Sequence, residues 1–225
     1  MKKMMYFLMC LLTSASVAMA QESLDSSYAN NYYKERVKFF NQLPVPARGV
    51  VFLGNSITEV GPWSEVLPGM TVSNRGISGD NSFGVYARLD QVLALHPRKI
   101  FLLIGVNDIK RGTPLNYIVA NYERIAAKVK AMAPHTTLYL QSVLPVTEPV
   151  LADIYVKIRN EKIKLLNEGL QQIAAKYHCT YIDLHNDVFA GEDGQLKREL
   201  TTDGLHLQPQ AYILWVEYLK RKKYL

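Results

Sequence analysis

The sequence predicts an α/β fold in which a parallel sheet of five strands is covered by helices on both faces. Three observations lead there. Short apolar runs recur along the chain, and segments with helical periodicity separate them. The clearest run, Ile100 to Ile104, is continuously apolar, as a strand buried on both faces must be. Parallel neighbours need crossover connections and those crossovers are right-handed, so the alternation folds into three layers, α/β/α. The chain has no internal repeat, low-complexity tract or interdomain linker, so residues 21–225 are expected to form one domain.

Residues 1–20 are set apart. Met1-Lys2-Lys3, an apolar run from Met4 to Leu12 and the ending Ala18-Met19-Ala20 have the three regions of a secretory signal peptide, and the run is too short to span a bilayer. Export to the periplasm or beyond, with cleavage before Gln21, is the expectation, leaving no stable membrane insertion. Lipid attachment at Cys10 is the lesser alternative, because Met9 is larger than the small residue such a site takes.

From Tyr28 to Leu43, Tyr32, Val37, Phe39 and Phe40 predict a helix stopped by Pro44 and Pro46. Val50 to Leu53 is the first strand, broken by Gly54-Asn55, with Ser56 where strand hands over to helix. Gly61-Pro62 and Pro68-Gly69 mark loops around Trp63, and Met70 to Ser73 reads as a second short strand. Val85, Tyr86, Leu89, Val92 and Leu93 repeat at helical spacing until Pro97. The third strand stops at Gly105-Val106-Asn107-Asp108. Leu115 to Ala133 carries one apolar helical face, Thr137 to Val143 a fourth strand, Asp153 to Tyr177 a long helix, and Thr180 to Leu184 a fifth strand. Gln208-Pro209 opens a final helix.

In such sheets the ligand site lies beyond the carboxyl ends of the strands. Ser56 follows the first strand, Gly79 the second, Asn107 the third, and Asp203 and His206 the fifth, so all point to one edge. Each has a use in acyl transfer. A serine is a weak nucleophile without a base, and His206 is that base candidate, since histidine changes charge near neutral pH. Asp203, with Gly204 permitting a turn, can hold the imidazole in the required tautomer. The backbone N–H groups of Ser56 and Gly79 and the Asn107 amide are candidate oxyanion donors. Taken singly, each has a plainer reading: Ser56 as a helix cap, Gly79-Asp80 as a loop, Asn107-Asp108 as a cap and Asp203-Gly204 as a turn.

The ordered set resembles the SGNH hydrolases, also called the GDSL esterase/lipase family. The blocks are GNSIT with Ser56, NRGISGD with Gly79, GVND with Asn107 and DGLH with Asp203 and His206, spread from residue 49 to about 219. Within the family the chain is similar to the platelet-activating-factor acetylhydrolase-like and sialate O-acetylesterase-like bacterial enzymes. The resemblance implies a flavodoxin-like sheet of order 2-1-3-4-5, hydrolysis of O-linked acyl groups, and no metal or organic cofactor. One departure stands out: the family commonly has Asp before the serine, where this chain has Asn55. Support of the site or substrate contact is expected of Asn55, Asp80, Asn81 and Asp108, and substrate contact is also open to Trp63 and Arg75.

Composition narrows the partners. A formal charge of +6 is mildly basic, and much of it lies in Lys220-Arg221-Lys222-Lys223, a run that suits a solvated helix end better than nucleic acid. Cleavage leaves Cys179 alone, which excludes an intramolecular disulfide and suits a buried small residue. His178, Cys179 and His185 match no zinc spacing, so no metal site is expected. The reading is a secreted serine esterase acting on a small acylated substrate, most simply an acetylated sugar, and no segment is long enough for a separate lid. Alternatives are a lysophospholipase or thioesterase of the same family, and a non-catalytic carbohydrate-binding protein on this fold.

Overall fold

The computed structural model describes residues 25–44 and 48–225. The expected leader and Pro46 lie outside them. Strands β1 (Val50–Gly54), β2 (Val72–Gly76), β3 (Lys99–Leu103), β4 (Thr137–Gln141) and β5 (Thr180–Ile182) form one sheet of order β2-β1-β3-β4-β5. Every pairing is parallel. The helices are α1 (Asn31–Gln42), α2 (Ser56–Glu59), α3 (Trp63–Val66), α4 (Ser82–Ala87), α5 (Leu89–Leu93), α6 (Val106–Arg111), α7 (Leu115–Met132), α8 (Asn160–Tyr177) and α9 (Pro209–Arg221). None of the described helices is long and apolar enough to cross a membrane.

Register explains the core. Phe52, Phe101 and Tyr139 are direct partners on β1, β3 and β4, and their rings stack at 5.1 and 4.5 Å. Trp63 of α3 continues the stack at 3.7 Å from Phe52, and Trp215 of α9 meets Trp63 edge-on at 5.1 Å. Helices α3 and α9 thus close this face. The crossovers through α4 and α5, through α7 and through α8 all step in one direction along the sheet, so right-handedness puts them together on the other face. The step from β1 to β2 runs the opposite way. The edge between β1 and β3 is therefore the topological switch point.

Several elements differ from the sequence reading. The second strand begins at Val72, because its register with β1 pairs Val50 with Val72 and Gly54 with Gly76. That draws the polar Asn74 and Arg75 into the strand, which an edge position tolerates. The single helix expected through Val85 and Leu93 is two, broken at Arg88 (φ −104°, ψ 10°). Helix α3 falls between the two marked loops, and α6 in a stretch to which no element was assigned. The long helix starts at Asn160 instead of Asp153, because the Glu148 carboxylate accepts the Asn160 N–H at 2.7 Å and so caps it there. After β4, the backbone groups of Val143 and Val146 are satisfied by side-chain amides: Asn167 bonds Val143 at 2.8 and 3.0 Å, and Asn160 bonds Val146 at 2.9 and 2.8 Å.

Candidate active site

The site begins where β1 ends. A Cβ on Gly54 would lie 2.3 Å from the Leu103 carbonyl oxygen, so only glycine fits between the two strand ends. The chain then turns at Asn55, whose Oδ1 accepts the Ile57 N–H at 3.0 Å and caps α2. Ser56 is thus the first helical residue and its hydroxyl is not spent on the cap. That hydroxyl lies 3.1 Å from His206 Nε2, and His206 Nδ1 lies 2.6 Å from Asp203 Oδ2.

The loop carrying Asp203 and His206 is held by its own backbone. Asp203 Oδ1 accepts the N–H groups of His206 at 2.7 Å and Leu205 at 2.9 Å. Thr201 Oγ1 donates to the His206 carbonyl at 2.7 Å and accepts the Gly204 N–H at 3.0 Å. Burial alone would raise the Asp203 carboxyl, but the hydrogen bonds from His206 and Leu205 outweigh it and hold the group below its ordinary value. A hydroxyl, an imidazole and an ionised carboxylate in line can move the serine proton onto the imidazole and stabilise the charge that results.

Gly79 and Asn107 meet through Asp80. Asn107, the second residue of α6, donates from Nδ2 to the Asp80 carbonyl at 2.9 Å, which brings it against the Gly79 turn. Gly79 has φ +79°, the left-handed conformation that favours glycine. Among the described residues no backbone oxygen accepts the N–H of Ser56 or of Gly79. Both remain free to serve a ligand at the rim. Asn107 is only 8 % exposed, so it does not stand at an open rim.

The four residues from which support or substrate contact was expected are buried and hydrogen-bonded to the protein around the site. Asn55 caps α2, while Asn81 caps α4 by accepting the Gly84 N–H at 3.0 Å and donates to the Ser27 carbonyl at 2.9 Å. Asp108 accepts the Ser82 N–H at 3.0 Å and its hydroxyl at 2.5 Å, and burial pushes its carboxyl up to about 7 against those bonds. Burial likewise pushes Asp80 up to about 6, opposed by Arg88. Trp63 is packing, buried in the aromatic stack with its indole N–H on the Thr58 carbonyl at 2.8 Å. Arg75 is turned away too, its guanidinium 4.8 Å from the Phe40 ring centroid. Of the residues doubted as metal ligands, His178 ends α8 in a left-handed conformation and His185 Nδ1 lies 3.2 Å from the Val143 carbonyl.

Sequence reasoning missed Glu59 and Arg88. Glu59 Oε2 accepts the Ser78 N–H at 2.6 Å, tying the residue before Gly79 to the helix that carries Ser56. Arg88 is buried and bonds Asp80 and the Gly54 carbonyl. Its signal was present: position 88 falls on the buried stripe with Val85, Leu89 and Val92, where a charge needs partners.

The five-stranded parallel sheet of order 2-1-3-4-5, with helices on both faces, is the fold of the acylhydrolases that this chain resembles among solved structures. The chain belongs to the GDSL-like lipase/acylhydrolase family, whose model matches residues 52–214, and it is a carboxylic ester hydrolase. Among solved structures it is similar to a Streptococcus pneumonia protein described as a candidate platelet activating factor, with 34% identity and a TM-score of 0.78 over 85% of this chain and 92% of that one. An arylesterase of Vibrio mimicus is 24% identical over 174 residues, 71% of this chain and 77% of that protein. An acetylxylan esterase from Geobacillus stearothermophilus shares the fold at 18% identity, with a TM-score of 0.60 over 79% of this chain and 95% of that one.

Proposed function

We propose that this protein is an exported serine esterase that removes small O-acyl groups, acetyl above all, from carbohydrate through an acyl-enzyme on Ser56. The observation that carries the reading is the Ser56–His206–Asp203 line, with its distances of 3.1 and 2.6 Å. His206 Nε2 takes the proton of Ser56 Oγ as that oxygen bonds to the acyl carbon. The N–H groups of Ser56 and Gly79 and the second N–H of the Asn107 amide then receive the oxyanion. His206 returns the proton to the departing alcohol, and water releases the acid from Ser56 by the same path in reverse. The reaction so written uses no cofactor.

Support for a polar alcohol comes from the openness of the site. The His206 and Asp203 side chains are 34% and 43% exposed, which leaves their face of the site accessible to a polar alcohol such as a sugar. The acetylxylan esterase on the same fold points the same way. Acetate release from acetylated xylo-oligosaccharides, sialic acids and pectin, set against p-nitrophenyl esters of rising chain length and lysophospholipid, tests this. Acetylated sugar should be turned over fastest.

One observation favours a lipid-like substrate instead. Ile154 and Val156 are 65% and 59% exposed on the segment after β4, and this segment reaches the catalytic loop, where the Thr147 N–H donates to the Gly204 carbonyl at 2.8 Å. If that apolar strip holds an acyl chain, activity rises with chain length.

The mechanism sets a pH profile. Neutral His206 is the acceptor, so kcat/KM should rise with pH through one ionisation. Asp203, held below the ordinary carboxylate range, stays ionised throughout that limb and adds no step to it. Burial raises two other carboxyls, Asp108 to about 7 and Asp80 to about 6, so the assignment of the limb needs a control. Asp108→Asn should leave the limb in place, whereas in His206→Ala it should vanish. A limb lost in Asp108→Asn would give the ionisation to Asp108.

A further inference from the structure

Arg88 sits at the break between α4 and α5, and its side chain is 1% exposed. A guanidinium so buried is costly unless its donors are used. Two of its three nitrogens are used: Nε and Nη2 both lie 2.9 Å from Asp80 Oδ2, and Nη2 also donates to the Gly54 carbonyl at 3.1 Å, while Nη1 has no partner among the described residues. Each of these contacts leads to an oxyanion donor. Gly54 precedes Asn55 and Ser56 at the end of β1. Asp80 follows Gly79 directly, and its own carbonyl receives the Asn107 amide at 2.9 Å.

We infer that Arg88 is a positioning residue, whose single guanidinium fixes the Ser56 N–H, the Gly79 N–H and the Asn107 amide relative to one another. The inference rests on the oxyanion assignment made above. Arginine suits the task because its donors form a rigid fork, so one residue spans a carboxylate and a carbonyl on different segments. Lysine has one ammonium on a flexible stem and cannot hold both in the same geometry. On the other side of the Gly79 turn, Glu59 Oε2 accepts the Ser78 N–H.

The test is the turnover of Arg88→Lys and Arg88→Met on p-nitrophenyl acetate, with kcat and KM measured separately and melting temperature recorded. Misplacing catalytic groups by about 1 Å costs about 10²-fold, so kcat should fall by that order in Arg88→Met, with KM little changed. Arg88→Lys keeps a cation beside Asp80 and should fold where Arg88→Met does not; its kcat should still be well below wild type. The decisive readout is the combination with Asn107→Ala. If Arg88 acts by placing Asn107 and its neighbours, the two losses in kcat are less than multiplicative. Fully multiplicative losses, or wild-type kcat in a folded Arg88→Lys, overturn the inference. Ser56→Ala measured alongside separates the two levels: activity surviving in Ser56→Ala defeats the catalytic reading itself, whereas a dead Ser56→Ala beside a normal Arg88→Lys defeats only the role of Arg88.

Discussion

Ser56→Ala should abolish ester hydrolysis and leave the fold unchanged. In serine hydrolases the nucleophile and base act as a unit, and loss of either costs about 10⁶-fold in kcat. A drop of that size is expected here, and His206→Ala should match it. Stability should hardly move, because the residue that caps α2 is Asn55, whose Oδ1 takes the Ile57 N–H at 3.0 Å. Activity on p-nitrophenyl acetate and a thermal melt of the same preparation check both halves. A lower melting temperature with surviving turnover would make Ser56 a structural residue.

Asn107→Ala should lower kcat by about 10²–10³ with KM little changed, because an oxyanion donor strengthens its bond only as the carbonyl oxygen gains charge. A stability cost accompanies it, because Asn107 is buried and its amide satisfies the Asp80 carbonyl at 2.9 Å. Leaving that carbonyl without a partner costs about 1–3 kcal/mol, so a modest fall in melting temperature should accompany the kinetic loss. The two effects separate when kcat is referred to folded enzyme. A capping role alone predicts the lower melting temperature with normal kcat.

The sheet was legible because buried parallel strands have no polar face to confuse the pattern. Val50 to Leu53 and Ile100 to Ile104 locate β1 and β3 to within a residue. The site blocks were legible for a related reason: Ser56, Gly79 and Asn107 each follow the carboxyl end of a strand, where ligands bind in such sheets, so polar residues there call for an explanation in chemistry. What escaped was structure made by partners distant in sequence. Val72 starts β2 because Val50 is its neighbour, and Asn160 starts α8 because Glu148 caps it. Helix α6 is six residues long and opens on Gly105 at φ 125°, a start with no side-chain cap to announce it. Arg88 carried a signal in its place on a buried helical stripe, but its partners Asp80 and Gly54, like the Ser78 partner of Glu59, are 8 to 34 residues away in sequence and are seen only in the fold.

The central claim is that Ser56 is the nucleophile, and covalent trapping tests it most directly. The purified enzyme should be treated with a fluorophosphonate probe, digested, and the labelled peptide identified by mass spectrometry. The account predicts one label, on Ser56, formed in step with the loss of esterase activity and absent from His206→Ala. A probe that inactivates the enzyme while labelling another serine, or an active enzyme that takes no label at all, would contradict it.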